Sequence, residues 1–166
     1  MTTRTFRALC CVAALSAPVP PAAADVGVQF VHPEHYADAG DYGVRSQRNL
    51  ESIRRHLQAL GDRCLPAGHT LDIRITDLDL AGRHEWWRPG TYDVRIMRGV
   101  TWPRADLEYL WKDAQGKVLA EQQERVSDMD YLSRSAFVRS DGDPLVYDKA
   151  MLTEWFERRF CPQHRG

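Results

Sequence analysis

The chain has 166 residues, with 22 Lys and Arg against 23 Asp and Glu and a formal net charge of -1. At 43% hydrophobic and 27% charged residues, it is too polar for a multi-span membrane protein and too apolar to be wholly disordered. It lacks the basic excess of a nucleic-acid binder, and its length suits one ordinary domain rather than two.

Residues 1–7 carry Arg4 and Arg7 and no acid. Residues 8–17 read ALCCVAALSA, an apolar run followed by Pro18, Pro20 and Pro21 and then by Ala22, Ala23 and Ala24. This is the layout of a secretory signal peptide, residues 1–24, cleaved after Ala24. The apolar run is shorter than the roughly 17 residues needed to cross a bilayer. The expected product is a periplasmic chain, residues 25–166, forming a single α+β domain with no transmembrane segment. Cys10 and Cys11 leave with the leader. Cys64 and Cys161 remain, and in an oxidising compartment such a pair suggests a disulfide. No CxxC motif supports a thioredoxin-like centre or a zinc ribbon.

Val26, Val28 and Phe30 alternate with Gly27 and Gln29 and predict a first strand that Pro33 ends. The polar stretch up to Gly43 reads as a loop. Leu50, Ile53, Leu57, Leu60 and Cys64 follow a +3, +4, +3, +4 spacing, which is one apolar stripe of a helix. Pro66 disfavours helical geometry at Leu65 and stops it. Leu71, Ile73 and Ile75 alternate as in a half-buried strand, but the next apolar residues, Leu78 and Leu80, are out of phase. A bulge near Thr76 and Asp77 would keep both sets buried. Residues 82–90, with the HEWWRP run, read as a loop, and Tyr92, Val94 and Ile96 as a further strand. Leu107, Tyr109 and Trp111 alternate, residues 113–116 turn, and Val118, Ala120 and Val126 return as the second arm of a hairpin.

Residues 127–143 lack a regular pattern. Asp143 and Pro144 then suit the N-cap and first position of a last helix, with Leu145, Leu152, Phe156 and Phe160 on its apolar face and Met151 and Trp155 beside them. Glu154 and Arg158 are spaced to pair on its outer side. The order strand, helix, four strands, helix predicts a two-layer α+β sandwich. It has a mostly antiparallel sheet of about five strands with two helices on one face. Strict alternation through five strands would make the helices antiparallel and separate Cys64 from Cys161. Their disulfide then requires residues 127–143 to cross the sheet.

Candidate chemistry is sparse. Asp77 with Asp79, and Asp128 with Asp130, form two D-x-D pairs at expected strand ends, where oxygens could gather around Ca²⁺. Neither matches a calcium-loop pattern, and short acids at such places commonly cap turns. His84-Glu85 lacks the second histidine of H-E-x-x-H. His32 and His35 flank Pro33 and Glu34, and with His84 they could bind a metal only if folding gathers them. His56 lies about 12 Å along the helix from Cys64, too far to activate it as a nucleophile. No P-loop, G-x-G-x-x-G or G-x-S-x-G motif is present, so no cofactor and no catalytic residue is expected. Arg95, Arg98 and Arg104 read as a solvated sheet face interspersed with acids rather than a basic strip. Trp86 and Trp87, flanked by Arg83 and Arg88, form the most suggestive surface, because aromatic and Arg side chains are enriched in binding hot spots. The competing reading is a tryptophan lid over the sheet.

Several stretches carry a family resemblance: LPAGHTLDIRITDLDLAGR at residues 65–83, VRIMRGVTWPRADLEY at 94–109, ERVSDMDYL at 124–132 and YDKAMLTEWFERRF at 147–160. Together they resemble a bacterial exported family catalogued as domain of unknown function 3016. Its most specific pieces are DLDLAG and the acidic-Lys-Ala-Met-Leu segment before Trp155. The resemblance implies export and one domain, and it implies no activity. The expectation is a non-enzymatic binding or accessory module of the cell envelope that contacts an unknown protein or ligand. The alternative is a metal-binding protein or hydrolase using the Asp and His clusters.

Overall fold

The computed structural model describes residues 23–39, 44–85, 87, 95–133 and 142–161. The expected leader, apart from Ala23 and Ala24, lies outside them. Four strands form the main sheet: β1 (Asp25–Phe30), β2 (Thr70–Asp79), β5 (Arg104–Lys112) and β6 (Val118–Ser127), in the order β1-β2-β5-β6. β1 pairs with β2 in parallel, while β2 with β5 and β5 with β6 pair antiparallel. The short β3 (Arg83–His84) and β4 (Arg95–Ile96) pair only with each other. Among the described residues the α-helices are α1 (Val44–Cys64) and α2 (Val146–Phe160). No helix among the described residues is long and apolar enough to cross a membrane.

Alternation decides the layers. Leu71, Ile73 and Ile75 of β2 and Ala105, Leu107 and Tyr109 of β5 are buried in one cluster with Ile53, Leu57 and Leu60 of α1 and Met151, Leu152, Trp155, Phe156 and Phe160 of α2. Each fully buried Leu or Ile contributes roughly 1.5–3 kcal/mol through its removal from water. The alternate residues, such as Asp72, Arg74 and Glu108, face the side opposite α1 and α2. α1 lies close on β1 because Gly61 has no side chain: a Cβ there would sit 2.1 Å from Val26 Cγ2. From the same helix, Gln58 and Arg54 donate to the carbonyls of Val26 and Val28, so the outer edge of β1 has acceptors already occupied. The expected phase flip in β2 is a register shift between Ile75 and Asp77, and it leaves Leu78 and Leu80 both buried.

The two-layer α+β reading holds, with corrections. Among the described residues the main sheet has four strands where the sequence suggested about five. The stretch read as a strand over Tyr92, Val94 and Ile96 is, within the described residues, the two-residue β4 outside the main sheet. That removes one reversal of direction. With β1 and β2 parallel and two antiparallel pairings after them, β6 runs the same way as β1, and a helix returning from each runs back alongside the other. His56 of α1 reaches Thr153 of α2 at 2.8 Å, and eight residues later in both helices Cys64 and Cys161 form a disulfide with Cα atoms 4.5 Å apart. The helices are therefore parallel, and the disulfide requires no crossing segment. α2 also starts later than Asp143 and Pro144 suggest. Asp143 accepts the Leu145 N–H through its side chain and the Val146 N–H through its carbonyl, ordering the turn that leads into the helix.

Candidate functional site

The charged residues concentrate where β2 ends. Asp79, Glu85, Asp128 and Asp148 are the buried carboxylic acids among the described residues, and all lie in the segments that meet there. The DLDLAG stretch explains itself residue by residue. Asp77 accepts the Ala37 N–H at 2.8 Å. Leu78 and Leu80 point into the core. Asp79 lies between Arg104 at 2.7 Å and Arg83 at 3.4 Å. Burial pushes its carboxyl above the ordinary value, and the two guanidinium groups pull against that rise. Gly82 has φ +73, and a Cβ there would lie 2.9 Å from the Ile96 carbonyl oxygen, so only glycine fits.

Arg95 and Asp148 hold the peptide between these positions. Arg95 donates to the carbonyls of Leu80, Ala81 and Gly82 and forms an ion pair with Asp38 at 2.9 Å. From the other side, the Asp148 carboxylate of α2 accepts the Ala81 N–H at 2.9 Å. Burial pushes Asp148 up to about 7, against the lowering influence of the Ala81 hydrogen bond and of Arg95. The two stretches that carry the family resemblance most specifically thus touch at Ala81. The arginines read as a solvated face interspersed with acids are ion-paired with acids: Arg95 with Asp38, Arg98 with Glu85 at 2.6 Å and Arg104 with Asp79. These pairings were missed because each joins segments far apart in sequence.

Beside this ionic junction three large apolar side chains are exposed. Trp87 is 61% exposed, Val100 77% and Met129 69%. The three are gathered at one end: the Glu85–Arg98 ion pair sets the segment before Trp87 beside the turn holding Val100, and Tyr131 donates to the Arg98 carbonyl at 2.8 Å from the segment holding Met129. Trp86 and Arg88 lie outside the described residues. Arg83 is exposed and paired with Asp79. On the sheet face opposite α1 and α2, away from this end, a broad depression of about 880 Å³ is lined by Gln29, Asp72, Arg74, Glu108, Glu121 and Gln123 among others.

The four aspartates do not converge on a common point. Asp77 and Asp79 are engaged as above, Asp128 accepts the Asp130 N–H, and Asp130 is exposed. Among the described residues, the three-donor group with metal-binding spacing is instead His32, Glu34 and His35, without His84. His56 donates to the Lys149 carbonyl, and burial lowers its pKa from the ordinary value. Cys64 is consumed in the disulfide. Glu124 was not foreseen from the sequence. It accepts from Tyr109, Trp155 and Arg159, tying β5, β6 and α2 together.

A family model described as "Protein of unknown function (DUF3016)" matches residues 24–158. No curated protein and no solved structure matches the chain.

Proposed function

The chain belongs to the family of proteins of unknown function DUF3016, and from that premise we propose that it is an exported, non-enzymatic binding or accessory module of the cell envelope. The signal-peptide layout of residues 1–24 and the Cys64–Cys161 disulfide support export, since such bonds persist in oxidising compartments. One observation carries the binding role. Three of the large apolar side chains that stay exposed among the described residues, Trp87, Val100 and Met129, are gathered at the end organised by Arg95 and Asp148. Exposed apolar surface on a rigid support is what a partner can cover with gain, and a tryptophan is the commonest type of anchor. The ionisable groups beneath it are engaged with one another, which suits a scaffold for the tip.

The test is a Trp87→Ala, Met129→Ser double variant, with a photo-crosslinking residue placed at position 100 in cells. The melting temperature should stay near that of the parent chain, because both side chains are exposed. Adducts formed by the parent should disappear, since losing a hot-spot tryptophan weakens binding by about 2 kcal/mol or roughly thirtyfold. Unchanged adducts in the folded variant would exclude this end as the contact surface.

A further inference from the structure

We propose that the turn His32-Pro33-Glu34-His35 is a binding site for a divalent transition-metal ion, with His32, Glu34 and His35 as its protein ligands. It is separate from the apolar tip and does not depend on the role assigned there. One donor atom from each of the three side chains lies within 4.8 Å of the other two. His32 Nδ1 and Glu34 Oε1 are 3.3 Å apart. Neighbouring donors in a tetrahedral site with bonds of about 2.0–2.1 Å sit about 3.4 Å apart, so this pair already has the spacing.

The turn explains why the donors meet. Pro33–His35 is a 3-10 helix, in which residues three apart eclipse. His32 and His35 stand in that relation across it, and their rings stack with centroids 5.9 Å apart and 24° between planes. His32 reaches this position with φ 52, which makes it the one non-glycine residue with positive φ among those described. The turn is fixed on both sides to one point of the sheet. The Val31 N–H donates to the Ile75 carbonyl at 2.9 Å, and the Tyr36 hydroxyl donates to the same oxygen at 2.6 Å. The Ala37 N–H adds its bond to Asp77. The backbone of the site is thus held before any ion arrives, which lowers the entropy lost on binding.

The donor set selects the ion class. Two imidazoles and one carboxylate suit Zn²⁺, Ni²⁺ or Cu²⁺ rather than Ca²⁺ or Mg²⁺, which prefer oxygen. Three protein ligands on an exposed turn leave the remaining positions to water or to an external ligand. His32 and Glu34 have side chains 73% and 62% exposed, so the ion has direct access from solvent.

The test uses the mature chain without a polyhistidine tag, titrated calorimetrically with Cu²⁺, Ni²⁺, Zn²⁺ and Ca²⁺ chlorides. One equivalent should bind, most tightly for Cu²⁺, with no saturable Ca²⁺ binding. His32→Ala and His35→Ala should each weaken binding at least tenfold, since losing even an outer-shell partner costs about 10–100-fold. His84→Ala and Asp130→Asn should leave it unchanged. Circular dichroism should report the same fold for all four variants, because His32, Glu34, His35 and Asp130 are exposed and His84 lies in the short β3. The parent's imidazole resonances from His32 and His35 should broaden first as Cu²⁺ is added. Binding that survives both His32→Ala and His35→Ala, or that requires Asp130, overturns the assignment, as does the absence of a saturable site.

Discussion

The two ends of the sheet are held by opposite means. Where α1 and α2 finish, Phe160 packs edge-on against Tyr109, Trp111, Trp155 and Phe156, with ring centroids 4.9–5.6 Å apart, beside the Cys64–Cys161 disulfide. Where α2 begins, the chain is held by Arg95, Asp38, Asp79, Arg104 and Asp148. An apolar cluster tolerates small shifts, because dispersion and burial are non-directional. Charged hydrogen bonds fix direction, and removing one partner leaves the other buried without compensation. The ionic end therefore positions β3, β4 and the apolar tip, while the other end supplies most of the covalent and aromatic cohesion. The comparison implies different responses to reduction, mutation and pH.

Reduction should act on the aromatic end alone. The disulfide links residues 97 apart in sequence, and a loop near 100 residues corresponds to about 4.7 kcal/mol on the chain-entropy model, taken as a ceiling. A Cys64→Ser, Cys161→Ser variant should lose up to that amount in urea unfolding, by the same margin at pH 5 and pH 8. Native-state hydrogen exchange should show faster opening in the last turns of both helices than at Leu80 and Gly82. An unfolding midpoint unaffected by the double substitution would show that the bond adds nothing to what the ring cluster already provides.

At the ionic end the largest single loss should come from Arg95. Arg95→Met keeps much of the side-chain volume but takes a donor from the Asp38 carboxylate and from the carbonyls of Leu80, Ala81 and Gly82. The pair is partly exposed, with side chains 10% and 17% accessible, so breaking it from one side should cost at most the roughly 3–5 kcal/mol of a fully buried pair. Arg95→Lys should recover only part of this, since an ammonium cannot reproduce a planar fork that reaches three carbonyls and a carboxylate. Equal stability of Arg95→Lys and the parent in urea unfolding would mean that charge alone, not the fork, holds this end.

The same contrast explains how far the sequence could be read. The apolar layer between helices and sheet is visible as periodicity: Leu50, Ile53, Leu57 and Leu60 recur at helical spacing, and Leu71, Ile73 and Ile75 alternate, because one buried face imposes its period on consecutive residues. The bulge at Ile75–Asp77 was visible as a phase error. The ionic end has no period. Arg95 meets Asp38 across 57 residues, and Asp148 meets Ala81 across 67. Charges at such separations look like an ordinary solvated face until the fold brings them together. The parity of the sheet was misread for a related reason: two residues of strand in β4 carry too little pattern to show which sheet they join. One strand too many reversed the expected direction of α2 and set the cysteines apart. Of the surface features, the exposure of Trp87 could be anticipated from its loop. The meeting of His32 with His35 could not, because it depends on the left-handed backbone at His32 and on the clamp at the Ile75 carbonyl.

The effect that most sharply separates the ends depends on one proton. Asp148 is buried, and its carboxyl is pushed up to about 7 from an ordinary 3.8. Between those values the native chain holds a proton that the unfolded chain has lost. The contribution of this group to stability is therefore fully present below about pH 4, falls as pH rises, and is gone above about pH 7. Asp148→Asn keeps an oxygen to accept the Ala81 N–H and removes the titration. Its stability relative to the parent should rise steadily from pH 4 to pH 7 and then level off. Asp143, at the entrance to α2, gives the opposite sign. Its hydrogen bonds to Lys149 and Leu145 outweigh burial and hold its carboxyl below the ordinary value, so its contribution is lost on acidification. Comparing parent and Asp148→Asn at each pH cancels that background. A difference that stays flat from pH 4 to pH 8 would mean that Asp148 remains ionised in the folded chain, with Arg95 neutralising it fully, and the ionic end would then be as indifferent to pH as the aromatic one.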